Sequence, residues 1–133
     1  MVLADTDVVS YIFKRHSLAE MYLNLLSGHS LLVSFMTIAE IEYGMEADRW
    51  GEKRKEAMRS YVGDRFSIVY PDYRTTQIWA AVVASCEAKG APIGFGDAWI
   101  AATALRLGAP LVSHNARDYA CVDGLTVFTV ATA

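Results

Sequence analysis

No apolar run in the sequence is long enough to cross a bilayer as a helix, because charged residues interrupt every stretch. A helical membrane span is therefore not expected. Cysteine is scarce: Cys86 and Cys121 are too few and too far apart to suggest a metal knuckle or a disulfide framework, and both are expected to be free thiols. The three histidines, His16, His29 and His114, lack the spacing of a zinc site. There is no excess of basic residues either. A net charge of -3 excludes nucleic-acid binding through a broad basic surface, although an acidic cluster that binds cations can still contact phosphate through them. The opening Met1-Val2-Leu3-Ala4-Asp5 has neither the basic start nor the cleavage site of a secretory leader, which sets the expectation of a cytoplasmic protein. Repeats, low-complexity segments and linkers are absent, and 133 residues suit one domain spanning 1–133.

Short apolar runs alternate with longer periodic ones, the pattern of a parallel α/β sheet flanked by helices. Strands are expected at Val2 to Ala4, Ser30 to Ser34, Phe66 to Val69, Pro110 to Ser113 and Leu125 to Val130. Helices are expected at Asp7 to Lys14; at Leu18 to Leu26, opened by a capping box at Ser17 and Glu20; and from Met36 to about Asp48. Further helices are expected at Arg49 to Tyr61, Thr75 to Lys89 and Asp97 to Leu107, with a flexible turn at Gly94 to Gly96. Lys53, Arg54, Lys55 and Arg59 read as a solvated face, and Trp50, Trp79 and Trp99 as packing residues.

In a parallel sheet all strands end on one edge, so residues just beyond those ends converge on the usual ligand crevice. Asp5 follows the first strand, Glu40 lies in the helix after the second, and Asp118 lies in the loop after the fourth. Asp97, in the first turn of its helix, can face the same crevice. Each acid also has a local explanation: Asp5 as a helix cap, Glu40 as the end of a Thr37 capping box, Asp97 at a helix dipole, and Asp118 in a turn. Together they say more. Two carboxylates about 5 Å apart repel by about 3 kcal/mol at an effective dielectric of ~20, so four in one crevice call for cations. Mg2+ or Mn2+ prefers such oxygen ligands, and phosphodiester hydrolysis is the natural reaction.

Four segments carry a resemblance. They are Val2-Leu3-Ala4-Asp5-Thr6-Asp7-Val8-Val9; Thr37-Ile38-Ala39-Glu40-Ile41-Glu42-Tyr43-Gly44; the run from Gly90 through Gly94, Asp97 and Ile100 to Leu105; and Leu111 to Tyr119 followed by Gly124-Leu125. In order, spacing and extent these resemble PIN domains, and specifically the VapC-type toxic ribonucleases of toxin-antitoxin pairs. The resemblance implies a five-stranded parallel sheet in the order 3-2-1-4-5. It also implies metal-binding acids at Asp5, Glu40, Asp97 and Asp118, with support from Thr6, Ser113 and Asn115. An RNA substrate, a homodimer and a VapB-type antitoxin that blocks the site follow from it as well. Asp7 departs from the pattern, since the family usually carries Asn there.

Two other functions compete. Asp5-Thr6-Asp7-Val8-Val9 after a strand also looks like the nucleophile motif of haloacid-dehalogenase-type phosphatases, with Asp5 attacking and Asp7 as acid and base. That fold needs a later acid pair, whereas Asp97 is followed by Ala98, Trp99, Ile100 and Ala101. The other alternative is a PIN domain that binds metal or RNA without turnover.

Overall fold

The computed structural model describes residues 1–130. Val2–Ala4 forms β1, a fully buried three-residue strand whose unbroken apolar sequence is what a strand covered on both faces requires. The other strands are β2 (Leu31–Ser34), β3 (Ser67–Val69), β4 (Leu111–Val112) and β5 (Val127–Phe128). All pairings are parallel, in the order β3-β2-β1-β4-β5. The expected sheet is therefore observed, with β1 at its centre. The chain builds one half outward through β2 and β3 and then crosses back to β4 and β5. The strand order thus reverses beside β1, where open α/β sheets form their ligand crevice.

Side-chain alternation along β1 sends Val2 and Ala4 to one face and Leu3 to the other. The first face is covered by α1 (Thr6–Phe13), α2 (Ala19–Leu26), α3 (Phe35–Ala47) and α4 (Glu52–Arg65), which bury Val8, Val9, Tyr22, Met45 and Met58. The second is covered by α5 (Tyr73–Ala88) and α6 (Phe95–Leu107). Ala98, Ala101, Ala102 and Ala104 are wholly buried, and their small side chains let α6 lie close to its neighbours. Trp79 and Trp99 stack at 5.2 Å between these two helices, which agrees with their reading as packing residues.

Several local expectations are corrected. Ser17 forms no capping box: α2 starts without a side-chain cap, and His16 Nδ1 accepts from the Leu18 N–H instead. Thr37 does not cap α3 either, because Ser34 does so through the Met36 N–H. The helix expected from Arg49 begins at Glu52, since Arg49 takes φ of 56° and turns the chain between α3 and α4. The expected flexible turn at Gly94 to Gly96 is the start of α6, with Gly94 as its N-cap. A capping box that the sequence pattern does not announce opens α5, where Asp72 and Thr75 bond reciprocally.

The cysteines are not free. Cys86, near the end of α5, is bonded to Cys121, with Cα atoms 5.3 Å apart across 35 residues of sequence. Lys89 pins the same junction by donating to the Cys121 carbonyl and pairing with Asp123, each at 2.7 Å. Sequence separation conceals this proximity because α6 and β4 lie between the two residues and fold back beside α5.

Candidate active site

The site begins at the end of β1. Asp5 is the N-cap of α1, and its Oδ1 accepts from the Thr6 N–H at 2.8 Å, so the local reading of Asp5 as a cap holds. A cap alone would leave the second oxygen to solvent. Instead Oδ2 accepts from the Ser113 hydroxyl at 2.7 Å and from the Tyr119 hydroxyl at 2.9 Å, and the residue is only 6% exposed. Ser113 stands just past β4, the neighbouring strand, so the register of the sheet brings it to Asp5 across 108 positions.

Thr6 ties the next acid in. Its hydroxyl donates to Glu40 Oε1 at 2.7 Å and lies 3.0 Å from the Thr37 hydroxyl. Glu40 therefore does not serve the capping box proposed for it but points from α3 toward α1. On its other side it meets Gly96, where a β-carbon would come within 3.3 Å of Glu40 Oε2. A side chain at Gly96 would force the carboxylate to move by a few tenths of an ångström. The absence of one is a condition for α6 to approach.

Asp97 follows in the first turn of α6, with the Tyr119 hydroxyl 3.4 Å from its Oδ1. Tyr119 thus spans Asp5 and Asp97. Asp118 stands exposed in a 3₁₀ turn over Ala116–Tyr119 and is near enough to raise the pKa of Asp97. Asp7 turns away from this group to hold the loop after β4. Its Oδ1 accepts from the Val8 N–H at 2.7 Å, and its Oδ2 accepts from the His114 N–H at 3.1 Å and from Asn115 Nδ2 at 2.9 Å. Behind the loop, the wholly buried Tyr22 places its hydroxyl 2.6 Å from His114 Nδ1.

The electrostatics follow from burial without counter-charge. Burial, then Asp5, Glu40 and Asp118, push Asp97 up to about 6, against a small lowering by Tyr119. Burial and then Asp5 push Asp7 up to about 7, against lowering by the Val8 and His114 amides. Glu40 is also raised, by burial and by Asp5, with Thr6 acting the other way. Burial, Asp5 and Asp97 drive the Tyr119 phenol far upward, so it remains a protonated donor. The ion pairs found among the described residues involve other acids entirely.

This donor set fits a hard divalent cation: it consists of half-buried carboxylate oxygens that repel one another and have no Lys or Arg partner. The side chains are nevertheless not closed around a point. Among the described residues no three of His, Cys, Asp or Glu are grouped tightly enough to hold an ion. Their hydrogen bonds go to neutral hydroxyls, Asp5 to Ser113 and Tyr119 and Glu40 to Thr6. Tyr119 and Gly96 are residues to which sequence reading assigned no part in the site. Tyr119 lies next to Asp118 and Gly96 next to Asp97, and that adjacency was the only signal for either.

The family described as PIN domain matches residues 2–125. The chain belongs to that family. All four acids of the crevice fall within the matched span. Among the relatives of this PIN domain, a protein named Ribonuclease VapC1 from Haemophilus influenzae strain R2866 is 29% identical over 123 residues, covering 91% of both chains. A solved structure of VapBC-1 from nontypeable Haemophilus influenzae superposes with a TM-score of 0.82 at 28% identity, covering 97% of this chain and 98% of that one. VapBC2 from Rickettsia felis, solved with a DNA fragment from its promoter, gives 0.80 at 25% identity, covering 98% and 100%. The phosphatase alternative gives way to this family assignment. The geometry adds that Asp7 is engaged by three donors, the Val8 N–H of α1 and the His114 N–H and Asn115 Nδ2 of the loop.

Proposed function

We propose that this PIN domain, comprising residues 1–133, is the toxin of a type II toxin-antitoxin pair, an endoribonuclease dependent on Mg2+ or Mn2+. One observation carries the reading: three buried or half-buried acids from three different helix starts and faces, Asp5, Glu40 and Asp97, are linked through Thr6 and Tyr119 at the reversal point of the sheet without a basic partner. Asp5, Glu40 and Asp97 would hold the ion, and Asp118 would add charge from the rim. Bound there, the ion supplies charge compensation and Lewis acidity toward a phosphodiester.

The chain's own residues do the rest. Ser113 and Tyr119 fix Asp5, Thr6 aims Glu40, and Gly96 leaves room for that carboxylate. Asp7 and Asn115 hold the loop that carries Asp118. The names of the relatives support an RNA substrate and a VapB-type antitoxin, and the family resemblance supports a homodimer working in the cytoplasm. No helix of the described residues is long and apolar enough to cross a membrane.

The test is cleavage of RNA by the purified chain with Mg2+ and with a chelator, alongside Asp97→Asn. Cleavage should require the ion and fall sharply in the variant. Full ion-dependent cleavage by Asp97→Asn would remove the assignment. Production of the chain alone should arrest growth and co-production of its antitoxin should restore it.

A further inference from the structure

A furrow of about 100 Å³ leaves the acid site between α1 and α3, with Thr6 and Glu40 at one end and Lys14, Gly44, Asp48 and Trp50 along it. Its size is well below the roughly 300–1,000 Å³ of sites that engulf a ligand, so it suits a chain laid along it and not a base enclosed by it. At the far end two cations gather on one indole. The Arg54 guanidinium lies over Trp50 at 3.7 Å from the ring centroid, and Lys14 Nζ is 5.8 Å from the same centroid.

Neither cation is in an ion pair among the described residues, nor are the nearby Arg15, Arg49 and Lys53 of the sequence, whereas Lys55, Arg59, Lys89 and Arg106 all are. Lys53 and Arg54 also sit in the first turn of α4, where the helix dipole disfavours positive charge. For Arg54 the contact with Trp50 offsets that cost without neutralising the charge, so the cation stays available to an anionic partner. The face read from sequence as merely solvated therefore has a built end: Trp50 is itself stacked on Phe13 at 6.0 Å, and it holds Arg54 as a planar, preorganised donor.

We propose that this furrow carries the phosphodiester backbone of the RNA on one side of the scissile bond, with Lys14 and Arg54 binding phosphate and Trp50 as the plate that positions Arg54. The inference rests on the nuclease reading and extends it to how the strand is held. A polyanion whose cleaved phosphate meets cation-loaded acids, and whose next phosphates meet fixed positive charge, matches the change of sign along the furrow. Phosphate binding of this kind reads no sequence, which agrees with the absence of a base-sized pocket here.

The experiment measures binding of a labelled single-stranded oligoribonucleotide of mixed sequence to the full chain carrying Asp97→Asn, in Mg2+, between about 50 and 200 mM salt. Lys14→Ala and Arg54→Ala should each weaken binding several-fold and reduce the slope of log affinity against log salt by about 0.7 for each phosphate no longer neutralised. Arg54→Lys should keep most of the slope. Asp48→Asn should tighten binding, and Gly44→Leu should obstruct the furrow, since a side chain there meets nothing within 4 Å as it leaves the backbone. A purely structural role for Arg54 would lower the melting temperature and leave the salt slope unchanged. That result, or wild-type affinity in the double variant, overturns the proposal. So does loss of antitoxin binding with RNA binding intact, which would give the furrow to the antitoxin. If the Asp97→Asn parent fails to bind RNA and the unmodified chain fails to cut it, the nuclease reading itself falls. If the parent binds and the furrow variants bind equally, only the furrow assignment falls.

Discussion

Asp5 and Asp72 hold the same local position, each the N-cap of a helix in extended backbone with a side chain that accepts from the helix's first turn. Everything beyond that turn differs. Asp72 is exposed, closes a capping box with Thr75 and takes a two-pronged pair from Arg106, which holds its carboxyl well below the usual range. Asp5 is buried, takes its further bonds from neutral hydroxyls, and faces Glu40 and Asp97 with no cation among its partners. A structural acid is neutralised by its own fold. An acid buried beside other acids with no cation among its partners is the one that fits a metal-binding role.

The sharpest way to break the comparison is to substitute both caps. Asp5→Asn should lower RNA hydrolysis by more than the roughly 10–100-fold that removing a supporting group costs, with the fold retained. Asp72→Asn, which keeps a competent cap and loses the pair with Arg106, should leave hydrolysis unchanged and lower the melting temperature slightly. Equal activity in the two variants would erase the distinction.

The next effect concerns the hydroxyl that gives Asp5 its second role. Tyr119→Phe removes a donor 2.9 Å from a buried carboxylate, and should reduce hydrolysis by about 10–100-fold and stability by about 1–3 kcal/mol. Hydrolysis rates and chemical denaturation would check both. A fully active Tyr119→Phe would leave Asp5 positioned by Ser113 and the Thr6 N–H.

The two regions should also respond to pH with opposite sign. Asp97 and Asp7 have folded-state pKa values raised to about 6 and about 7, above their unfolded values, so the native state holds more protons between about 4 and 7. Their contribution to stability therefore diminishes as pH rises through that window, and a divalent ion should restore the Asp97 part of it at the alkaline end. Asp72 is lowered, so its contribution is present above its unfolded pKa and is lost as the solution is acidified below it. Melting temperatures with and without Mg2+ would separate the two. A melting temperature that climbs steadily from pH 5 to 8 in chelator would contradict the raised pair.

The smallest effect is expected at Asp7. Asp7→Asn should retain hydrolysis within about tenfold, because this residue organises the loop and is not among the acids proposed to hold the ion. An amide cannot accept at both of the oxygens that now do so, one from Val8 and the other from His114 and Asn115. It also removes a charge that the site opposes, so melting above pH 7 should be little changed or improved. Activity lost as completely as in Asp5→Asn would revive a direct chemical role for Asp7.

Much of this was legible in the sequence. β1 reads at its observed bounds because a strand buried on both faces has no polar residue to blur it. Asp5, Glu40 and Asp118 were proposed from their places after strands and Asp97 from the first turn of its helix, although the strand order itself rested on resemblance. What was hidden is non-local. The pairing of Cys86 with Cys121, the reach of Tyr119 to Asp5 and the room Gly96 leaves for Glu40 all depend on neighbours that only the folded topology supplies. Ser17 and Thr37 misled for the converse reason: a capping pattern is common, and packing selects which instance forms. Asp72 went unremarked because its capping partner is Thr75, outside the usual Glu or Gln signature.

The bond between Cys86 and Cys121 divides the site topologically. It closes a covalent ring that contains α6, β4 and the 3₁₀ turn, and so Asp97, Ser113, Asp118 and Tyr119, while Asp5, Thr6 and Glu40 lie on the open chain outside it. The crevice is thus a clasp between a ring and a free arm. In the loop-entropy account, closing 35 residues restricts the unfolded chain by about 4 kcal/mol, which favours the folded arrangement of the half of the site that the ring contains. Cutting the ring would leave both halves intact in sequence while loosening the frame that brings the second two acids to the first two.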